Sequence, residues 1–183
     1  DAMGPGVEVS GGSAANTLAG LASLGGNGAY IGKVRNDTLG GVFHHDINAI
    51  GVDYRTPAAT GGETTARCLI FVTPDAQRTM QTYLGISITL GPDDIDETAI
   101  KESQITYLEG YLFDPPEAKQ AFVKAAEIAH AAGRKVALTL SDPFCVDRHR
   151  AEFMHLISGH VDIVFANEDE TKSLFEVDDF DAA

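Results

Sequence analysis

Two short segments near opposite ends of the 183-residue chain carry groups suited to binding oxygen-rich ligands. In the first, Gly11-Gly12-Ser13-Ala14-Ala15-Asn16, two glycines precede a predicted helix. Glycine lets a ligand approach the backbone closely, and free N–H groups at a helix start favour anionic or hydroxyl oxygens. The Asn16 amide both donates and accepts hydrogen bonds, as a polyol requires. A plain glycine turn before an ordinary helix is the alternative interpretation.

The second segment is Asn167-Glu168-Asp169-Glu170, which follows an apolar stretch at 161–165. An asparagine at this position is a typical N-cap, because its side chain accepts a hydrogen bond from a free backbone N–H of the first turn. The spacing places Asn167 and Glu170 on one side of the helix start. The segment is therefore either an ordinary helix cap or part of a ligand site.

Two further positions follow predicted strands and are weaker candidates. Glu109 ends a strand at the sheet edge where ligands of α/β proteins gather, although a surface salt bridge explains a glutamate there equally well. Ser141-Asp142-Pro143-Phe144 follows the next strand, and we interpret it as structural turn chemistry, with the border of a phosphate channel as the alternative.

Basic and metal-binding candidates are few. Arg67 and Arg78 could steer a phosphate or grip a phosphosugar, but exposed strand arginines are common. The neighbours His44 and His45 point about 100° apart on a helix and cannot easily share one metal.

The elements that position these residues alternate between helix and strand, the pattern of an α/β fold. Ser13 is predicted to cap a helix over 14–24 that ends at Gly25-Gly26, and Asp37 to cap a second helix that ends at Gly51. The remaining predicted elements are strands at 29–34, 105–109, 135–140 and 161–165, and helices at 115–132, about 147–157, and from 167 or 168 to 175.

Residues 60–90 interrupt this alternation. The stretches 64–73 and 78–83 are rich in β-branched residues and flank the turn Pro74-Asp75-Ala76-Gln77, which predicts a β-hairpin. Together with Val7-Glu8-Val9 it could form a small sheet that stands off the main body. Such an insert, built from about 3–10 and 60–90, serves either as a lid over a site or as an oligomer interface.

The composition excludes several classes of protein. A formal net charge of −14, with acidic residues spread along the chain, disfavours nucleic acid as a partner. Cys68 and Cys145 cannot form a disulfide framework, and no apolar run reaches the ~18 residues that span a membrane. We therefore expect a cytoplasmic protein. Residues 1–6 are loop-like with no strand before the glycine motif, so we also expect chain upstream of them.

The first segment and its surroundings resemble a signature region of the ribokinase/PfkB family of sugar and nucleoside kinases. The resemblance implies a ribokinase-like, three-layer α/β/α fold with a mostly parallel sheet and a small β lid, incomplete in residues 1–183. It also implies that Gly11, Gly12 and Asn16 hold sugar hydroxyls and that Glu109 touches the sugar. The matching positions are Gly11-Gly12-Ser13-Ala14-Ala15-Asn16, Gly25, Ile31-Gly32-Lys33-Val34, Asp37 and Gly40.

The second segment resembles the N-x-x-E motif of the same family. This implies that Asn167 approaches the phosphates of ATP and that Glu170 organises Mg²⁺ through water. The stretch from Arg78-Thr79-Met80 to Tyr83-Leu84-Gly85 looks closest to the adenosine-kinase-like branch. A homodimer formed through the lid is a further expectation.

The family's catalytic base is an aspartate in a D-T-x-G-A-G-D segment, and nothing similar occurs in these 183 residues. The resemblance therefore implies that the base lies beyond Ala183, and no residue of this chain is assigned that role.

Our hypothesis is that the parent protein phosphorylates a sugar or nucleoside hydroxyl with ATP, and that this chain holds the substrate pocket and lid, without the C-terminal ATP-binding half. We expect the chain alone to be inactive. The alternative is a non-catalytic sugar-binding or nucleoside-binding regulatory module. An oxidoreductase is disfavoured because the dinucleotide fingerprint is lacking.

Overall fold

The computed structural model describes residues 5–183, and it begins with two helix–strand pairs. Helix α1 (Ser13–Ser23) contacts strand β1 (Gly28–Tyr30), and helix α2 (Thr38–Ala49) leads into strand β2 (Val52–Tyr54). The two strands pair in parallel, with Tyr30 opposite Tyr54. We did not predict β2, because a three-residue strand directly after a helix is too short for a recognisable alternation.

The ends of these helices follow local rules, with one exception. The Asp37 carboxylate accepts a hydrogen bond from the Gly40 N–H at 2.9 Å, so the predicted cap of α2 is confirmed. Gly51, at a φ of 88°, ends this helix as predicted. The prediction that Ser13 caps α1 is wrong. The N-cap is Gly12, whose φ of 114° and ψ of 139° suit glycine far better than any residue with a side chain, and Ser13 is already helical.

The predicted hairpin is confirmed. Strand β3 (Arg67–Val72) pairs antiparallel with strand β4 (Arg78–Tyr83). The expected third strand at Val7–Val9 is wrong, because this stretch forms no ladder and both valines are exposed. Glycines at 6 and 11 flank this short segment, which buries too little apolar surface to offset the entropy of ordering it. Residues 3 and 4 of the expected lid segment lie outside the described residues.

The second half of the molecule is built around a parallel sheet. Its three strands pair in the order β5-β6-β7, so the predicted parallel core is confirmed. A short helix that we did not predict, α3, precedes them. The elements are α3 (Glu97–Glu102), β5 (Ile105–Glu109), α4 (Pro116–Ala131), β6 (Lys135–Thr139), α5 (Pro143–His160), β7 (Ile163–Phe165) and α6 (Glu168–Phe175).

Helix α5 begins earlier than predicted because Asp142 caps it. The Asp142 carboxylate accepts from the Cys145 N–H at 2.6 Å, and Pro143 occupies the first helical position, where its missing N–H costs nothing. A local departure from helical geometry at His149 (φ −129°) divides the helix.

The core consists of two clusters. The larger one lies under the parallel sheet, where the Phe113 and Phe153 rings stack with 4.3 Å between their centroids. The smaller one surrounds Tyr54 and Ile47 at the β1–β2 pair. A cavity of about 2240 Å³ lies between the two strand groups, lined by residues from β1, β5, α1 and the hairpin. The candidate site borders this cavity.

Candidate active site

The register of the parallel sheet brings three strand ends together. Glu109 lies opposite Thr139, and Thr139 lies opposite Phe165. The segments that follow these strands therefore leave the sheet at one edge, including Ser141 and Asn167. Ligands of open α/β sheets bind at this carboxyl edge, so the predicted position of Glu109 at a ligand-accessible edge agrees with the topology.

Glu109 is a buried carboxylate with one oxygen engaged. It is 9% exposed, and its Oε1 accepts a hydrogen bond from the Ser141 hydroxyl at 2.9 Å. Within residues 5–183, its Oε2 has no hydrogen-bond partner. The surface salt-bridge interpretation is therefore wrong. A buried polar atom without a partner carries a free-energy cost that a bound ligand can remove.

Burial controls the protonation of this group. Desolvation raises the pKa of Glu109 above its ordinary value, and the hydrogen bond from the Ser141 hydroxyl is the first of the influences that oppose that rise. The hydroxyls of Ser13 and Tyr107 lie near enough to oppose it as well, although neither makes a hydrogen bond to Oε2. Sequence reasoning missed both Ser13 and Tyr107 as neighbours of Glu109. Tyr107 lies two residues before it on the same strand and therefore points to the same face, which was the available signal.

The glycine motif lies on the same cavity. Gly11, Gly12, Asn16 and Glu109 all border it, so the four predicted substrate-binding residues face the same large, open space. A Cβ added at Gly11 would meet no atom within 4 Å, and one at Gly12 would meet only the Ala15 Cβ at 3.9 Å. The backbone therefore faces open space, and Asn16 is exposed one turn into α1.

Asn167 and Glu170 form a reciprocal capping box at the start of α6. The Asn167 Oδ1 accepts from the Glu170 N–H at 2.8 Å, while the Glu170 carboxylate accepts from the Asn167 N–H at 3.1 Å and from its Nδ2 at 2.8 Å. The helix-cap interpretation is thus confirmed. Neither residue lines the cavity that Glu109 lines. A role towards ATP stays a prediction at this point.

A magnesium ion does not fit Glu170 as a direct ligand. Both carboxylate oxygens already accept hydrogen bonds, and the residue is 6% exposed. In the part of the chain from residue 5 onward, no three His, Cys, Asp or Glu side chains are grouped to hold a metal. Since Mg²⁺ keeps several of its waters, the carboxylate is suited only to an indirect contact through water.

The catalytic base that we expect beyond Ala183 stays a prediction, because the structure describes residues 5–183. The last described element is a short 3-10 turn over Phe180–Ala182, which directly precedes Ala183. Phe180 is 48% exposed there, so the chain reaches Ala183 at the surface of the described residues.

Tyr111 is a site residue that sequence reasoning missed. It is 49% exposed and lines the cavity just after the strand that ends at Glu109. Partial burial raises the pKa of Tyr111, and the nearby carboxylates of Asp142, Glu109 and Glu170 raise it further. The Tyr111 phenol therefore lies in an acidic part of the cavity wall. An isolated tyrosine after a glycine has no motif spacing that would have shown this.

The hairpin arginines differ in position. The Arg67 guanidinium lies 4.8 Å from the centroid of the Tyr83 ring and borders the cavity, whereas Arg78 is exposed at the far end of the hairpin and does not. Of these two arginines, therefore, only Arg67 borders the cavity. Both cysteines are free, with Cys68 exposed and Cys145 buried. None of the helices in residues 5–183 has the length and hydropathy needed to cross a membrane.

Known proteins resemble this chain over nearly its whole length. The sequence model of the family described as pfkB family carbohydrate kinase matches residues 5–183. The ATP-dependent ribose-1-phosphate kinase of Halopiger xanaduensis is 29% identical over 168 residues, which cover 91% of this chain and 52% of that protein.

Two solved structures superpose closely. The adenosine kinase from Sinorhizobium meliloti has a TM-score of 0.93 at 57% identity, and a probable sugar kinase protein from Rhizobium etli CFN 42 has a TM-score of 0.93 at 54% identity. Each match covers 98% of this chain and 55% of the other. The predicted ribokinase-like α/β fold is confirmed, and the chain spans about half the length of the relatives it matches.

Proposed function

This chain belongs to the pfkB family of carbohydrate kinases, and on that basis we propose that the protein transfers a phosphoryl group from ATP to a hydroxyl of a sugar or nucleoside. Its relatives include a ribose-1-phosphate kinase and an adenosine kinase. The free cysteines favour the reducing cytoplasm as its compartment.

One observation carries the proposal. Gly11, Gly12, Asn16 and Glu109 line a single cavity although they come from a loop, a helix and a strand far apart in the chain. Backbone groups, an amide and a carboxylate together form the mixed donor and acceptor set that a ring with several hydroxyls requires. The Gly12 backbone and the Glu109 carboxylate would approach such a ring from different elements and so fix its orientation.

We assign the ATP side of the site to the start of α6. The Asn167 amide has a second N–H beyond the one given to Glu170, and this N–H can donate to a phosphate oxygen. Glu170 holds that amide in place and contacts Mg²⁺ only through water. The ion would neutralise phosphate charge during transfer. The acidic chain would otherwise repel ATP, because its formal net charge is −14.

We place the catalytic base beyond Ala183, in the half of the relatives that this chain does not match. The 183 residues hold the substrate side and should be inactive alone. ATP-dependent phosphorylation by the isolated 183-residue chain would contradict this division of roles.

Adenosine is the substrate that we propose first. Support comes from the 57% identity to the Sinorhizobium meliloti adenosine kinase and from the hairpin segment noted above. Ribose, fructose and ribose 1-phosphate are the competitors. Arg67, which borders the cavity, would favour the phosphorylated sugar. Measuring kcat/KM of the full-length protein for these four compounds with ATP ranks them directly.

The decisive variant is Asn16→Ala in the full-length protein. We expect the affinity for the best compound to fall roughly tenfold or more, since a buried hydroxyl of the ligand would lose its partner. Asn36→Ala is the matched control, because Asn36 is exposed and does not line the cavity. If calorimetry gives equal affinities for both variants and the parent, Asn16 does not belong to the pocket.

The second candidate is a sugar-binding or nucleoside-binding module without catalysis. It is supported by the position of all four polyol-binding candidates on one cavity within residues 5–183. Intact-mass spectrometry of the natural protein separates the two functions. A mass well above 19.4 kDa supports the kinase, whereas one equal to it supports the module.

We also propose that the hairpin pairs with a second copy of the chain. Leu69, Ile70, Phe71, Val72 and Met80 are each between 41% and 64% exposed on its two faces. Exposed apolar surface of this extent is typical of an interface. Sedimentation of Ile70→Asp should show a monomer where the parent shows a dimer. Ile50→Asp, at an apolar position of similar exposure outside the hairpin, is the control.

A further inference from the structure

Ser141 has a backbone conformation that serine rarely adopts. Its φ is 72°, and it is one of only three residues other than glycine with a positive φ between residues 5 and 183. For a residue with a Cβ this left-handed conformation costs roughly 1–2 kcal/mol. Ser141 lies two residues after the end of β6, at the carboxyl edge of the parallel sheet. Residues with a strained backbone often cluster at functional sites.

The side chain of Ser141 links β6 to the end of β5. Its hydroxyl donates to the Glu109 Oε1 at 2.9 Å and accepts from the Tyr111 N–H at 3.2 Å. Its own backbone N–H donates to the Thr139 hydroxyl at 3.3 Å. The Ser141 hydroxyl therefore both donates and accepts a hydrogen bond, and its two partners, Glu109 and Tyr111, lie on either side of Gly110.

Gly110 shows how closely these segments approach. A Cβ at this position would lie 2.5 Å from the Thr139 carbonyl oxygen and 2.9 Å from the Ser141 Oγ. The strand end that carries Glu109 is thus pressed against the turn that carries Ser141. In this geometry the serine hydroxyl lies directly beside the strand end and is held by two hydrogen bonds, to the Glu109 carboxylate and from the Tyr111 N–H.

We propose that Ser141 is a positioning residue, whose hydroxyl occupies one oxygen of Glu109 and so presents the other to a hydroxyl of the ligand in the cavity. The presence of a ligand hydroxyl at Glu109 rests on the function proposed above, whereas the link between Ser141 and the Glu109 carboxylate does not. The strain at Ser141 is maintained because Asp142, its neighbour, is fixed as the cap of α5. The turn cannot relax without losing that cap.

The same hydrogen bond favours the ionised form of Glu109. Burial raises the pKa of Glu109, and the Ser141 hydroxyl is the first of the groups that oppose the rise. The other titratable groups around it are the phenols of Tyr30, Tyr107 and Tyr111, whose pKa values burial also raises, so they remain neutral at physiological pH. Without the serine hydroxyl, Glu109 should protonate at higher pH, and the neutral carboxyl would accept a hydrogen bond from the ligand more weakly than the carboxylate does.

The first test needs no ligand. In the full-length protein labelled with ¹³C at glutamate carboxyls, the Glu109 signal is identified by its loss in Glu109→Gln, and its titration is followed by NMR. Ser141→Gly removes the hydroxyl and permits the positive φ, so it protects folding. We expect its Glu109 midpoint to rise by about one pH unit, a tenfold change in proton affinity. An unchanged midpoint would overturn the proposal.

Ser141→Ala separates the hydroxyl from the backbone strain. Alanine also lacks the hydroxyl but keeps the penalty at positive φ, so this variant should be less stable than Ser141→Gly while its Glu109 midpoint rises equally. A role in turn geometry alone predicts the opposite pattern, in which stability changes and the midpoint does not.

The second test uses adenosine and then D-ribose as probes. Calorimetry between pH 5 and 9 should show about tenfold weaker binding to Ser141→Gly near neutral pH, with the loss greatest on the acidic side. The double variant with Glu109→Gln should bind no more weakly than Glu109→Gln alone, because the serine acts through that carboxylate. Additive losses would overturn the proposal. If the parent binds neither probe, the proposed substrate class is wrong, and the titration still decides the role of Ser141.

Discussion

The parallel-sheet body and the β3–β4 hairpin are both rich in apolar residues, but only the body buries them. Leu138, Leu140 and Phe153 are fully covered, whereas every residue of β3 and β4 is exposed. The body therefore obtains its stability from its own packing. The hairpin strands form a complete hydrogen-bonded ladder, but no other part of residues 5–183 buries either face. Uncovered apolar faces of this kind are typical of an element that contacts a ligand or a second chain.

The largest expected effect comes from removing one phenylalanine from each region. Phe153→Ala should destabilise the protein by about 3–5 kcal/mol, because its ring is fully buried and stacked on Phe113. Phe71→Ala, at 41% exposure on the hairpin, should cost less than about 1 kcal/mol. Urea unfolding measures both. Comparable losses would mean that the hairpin is covered in solution.

The next contrast lies between two adjacent glycines. Gly12→Ala should cost about 1–3 kcal/mol and impair ligand binding, because its φ of 114° is strained for alanine. Gly11→Ala should be nearly neutral for folding, since its φ is not positive and a Cβ there would meet nothing within 4 Å. Thermal unfolding and calorimetry of both variants test this. If both variants are equally destabilised, the conformational constraint belongs to the whole glycine loop and not to Gly12 alone.

Asp37 ties the base of the hairpin to the body. Its carboxylate caps α2 and also accepts from the Thr65 N–H at 2.9 Å and the Thr65 hydroxyl at 2.7 Å. Asp37→Ala should cost about 2 kcal/mol, against about 1 kcal/mol for Asp96→Ala, which removes a cap alone. Hydrogen exchange in the hairpin should accelerate in the first variant and not in the second.

The pH dependence of Asp37 has a defined sign. Slight desolvation raises its pKa, but the hydrogen bonds from Thr65 and Gly40 outweigh this and lower the pKa below its ordinary value. The stability it contributes is therefore present above the unfolded-state pKa and is lost as pH falls through the lower folded-state value. Unfolding between pH 2 and 7 should show this slope in the parent and lose it in Asp37→Ala.

Glu109 should show the opposite and smallest effect. Burial raises its folded-state pKa, so its contribution to stability is complete below the unfolded-state pKa and is lost as pH rises through the folded-state value. Glu109→Gln should remove this loss. Compared with the parent protein, the variant should therefore gain more stability at pH 8 than at pH 4, while it binds ligand more weakly. A variant that is less stable at pH 8 as well would show that the carboxylate serves the fold and not the site.

Local signals predicted much of the architecture. The hairpin, the strand Ile105–Glu109 and the start of α6 at Asn167 were all recognisable, because caps, turns and strand alternation depend on neighbours within a few residues. The errors also have local causes. Ser13 was predicted as the cap because serine is a frequent N-cap residue, whereas Gly12 has no side chain that would indicate this role. Strand β2 was too short to show a periodic pattern.

The sequence by itself determined the α/β alternation, the family resemblance and the polar residues of the glycine and N-x-x-E motifs, since each rests on residue types at short spacing. Only the tertiary structure decided which of them share a cavity, and that Glu109 is buried with one oxygen held by Ser141, 32 residues away along the chain. Contacts of that separation depend on strand register and on the packing of the sheet edge, which no local pattern encodes.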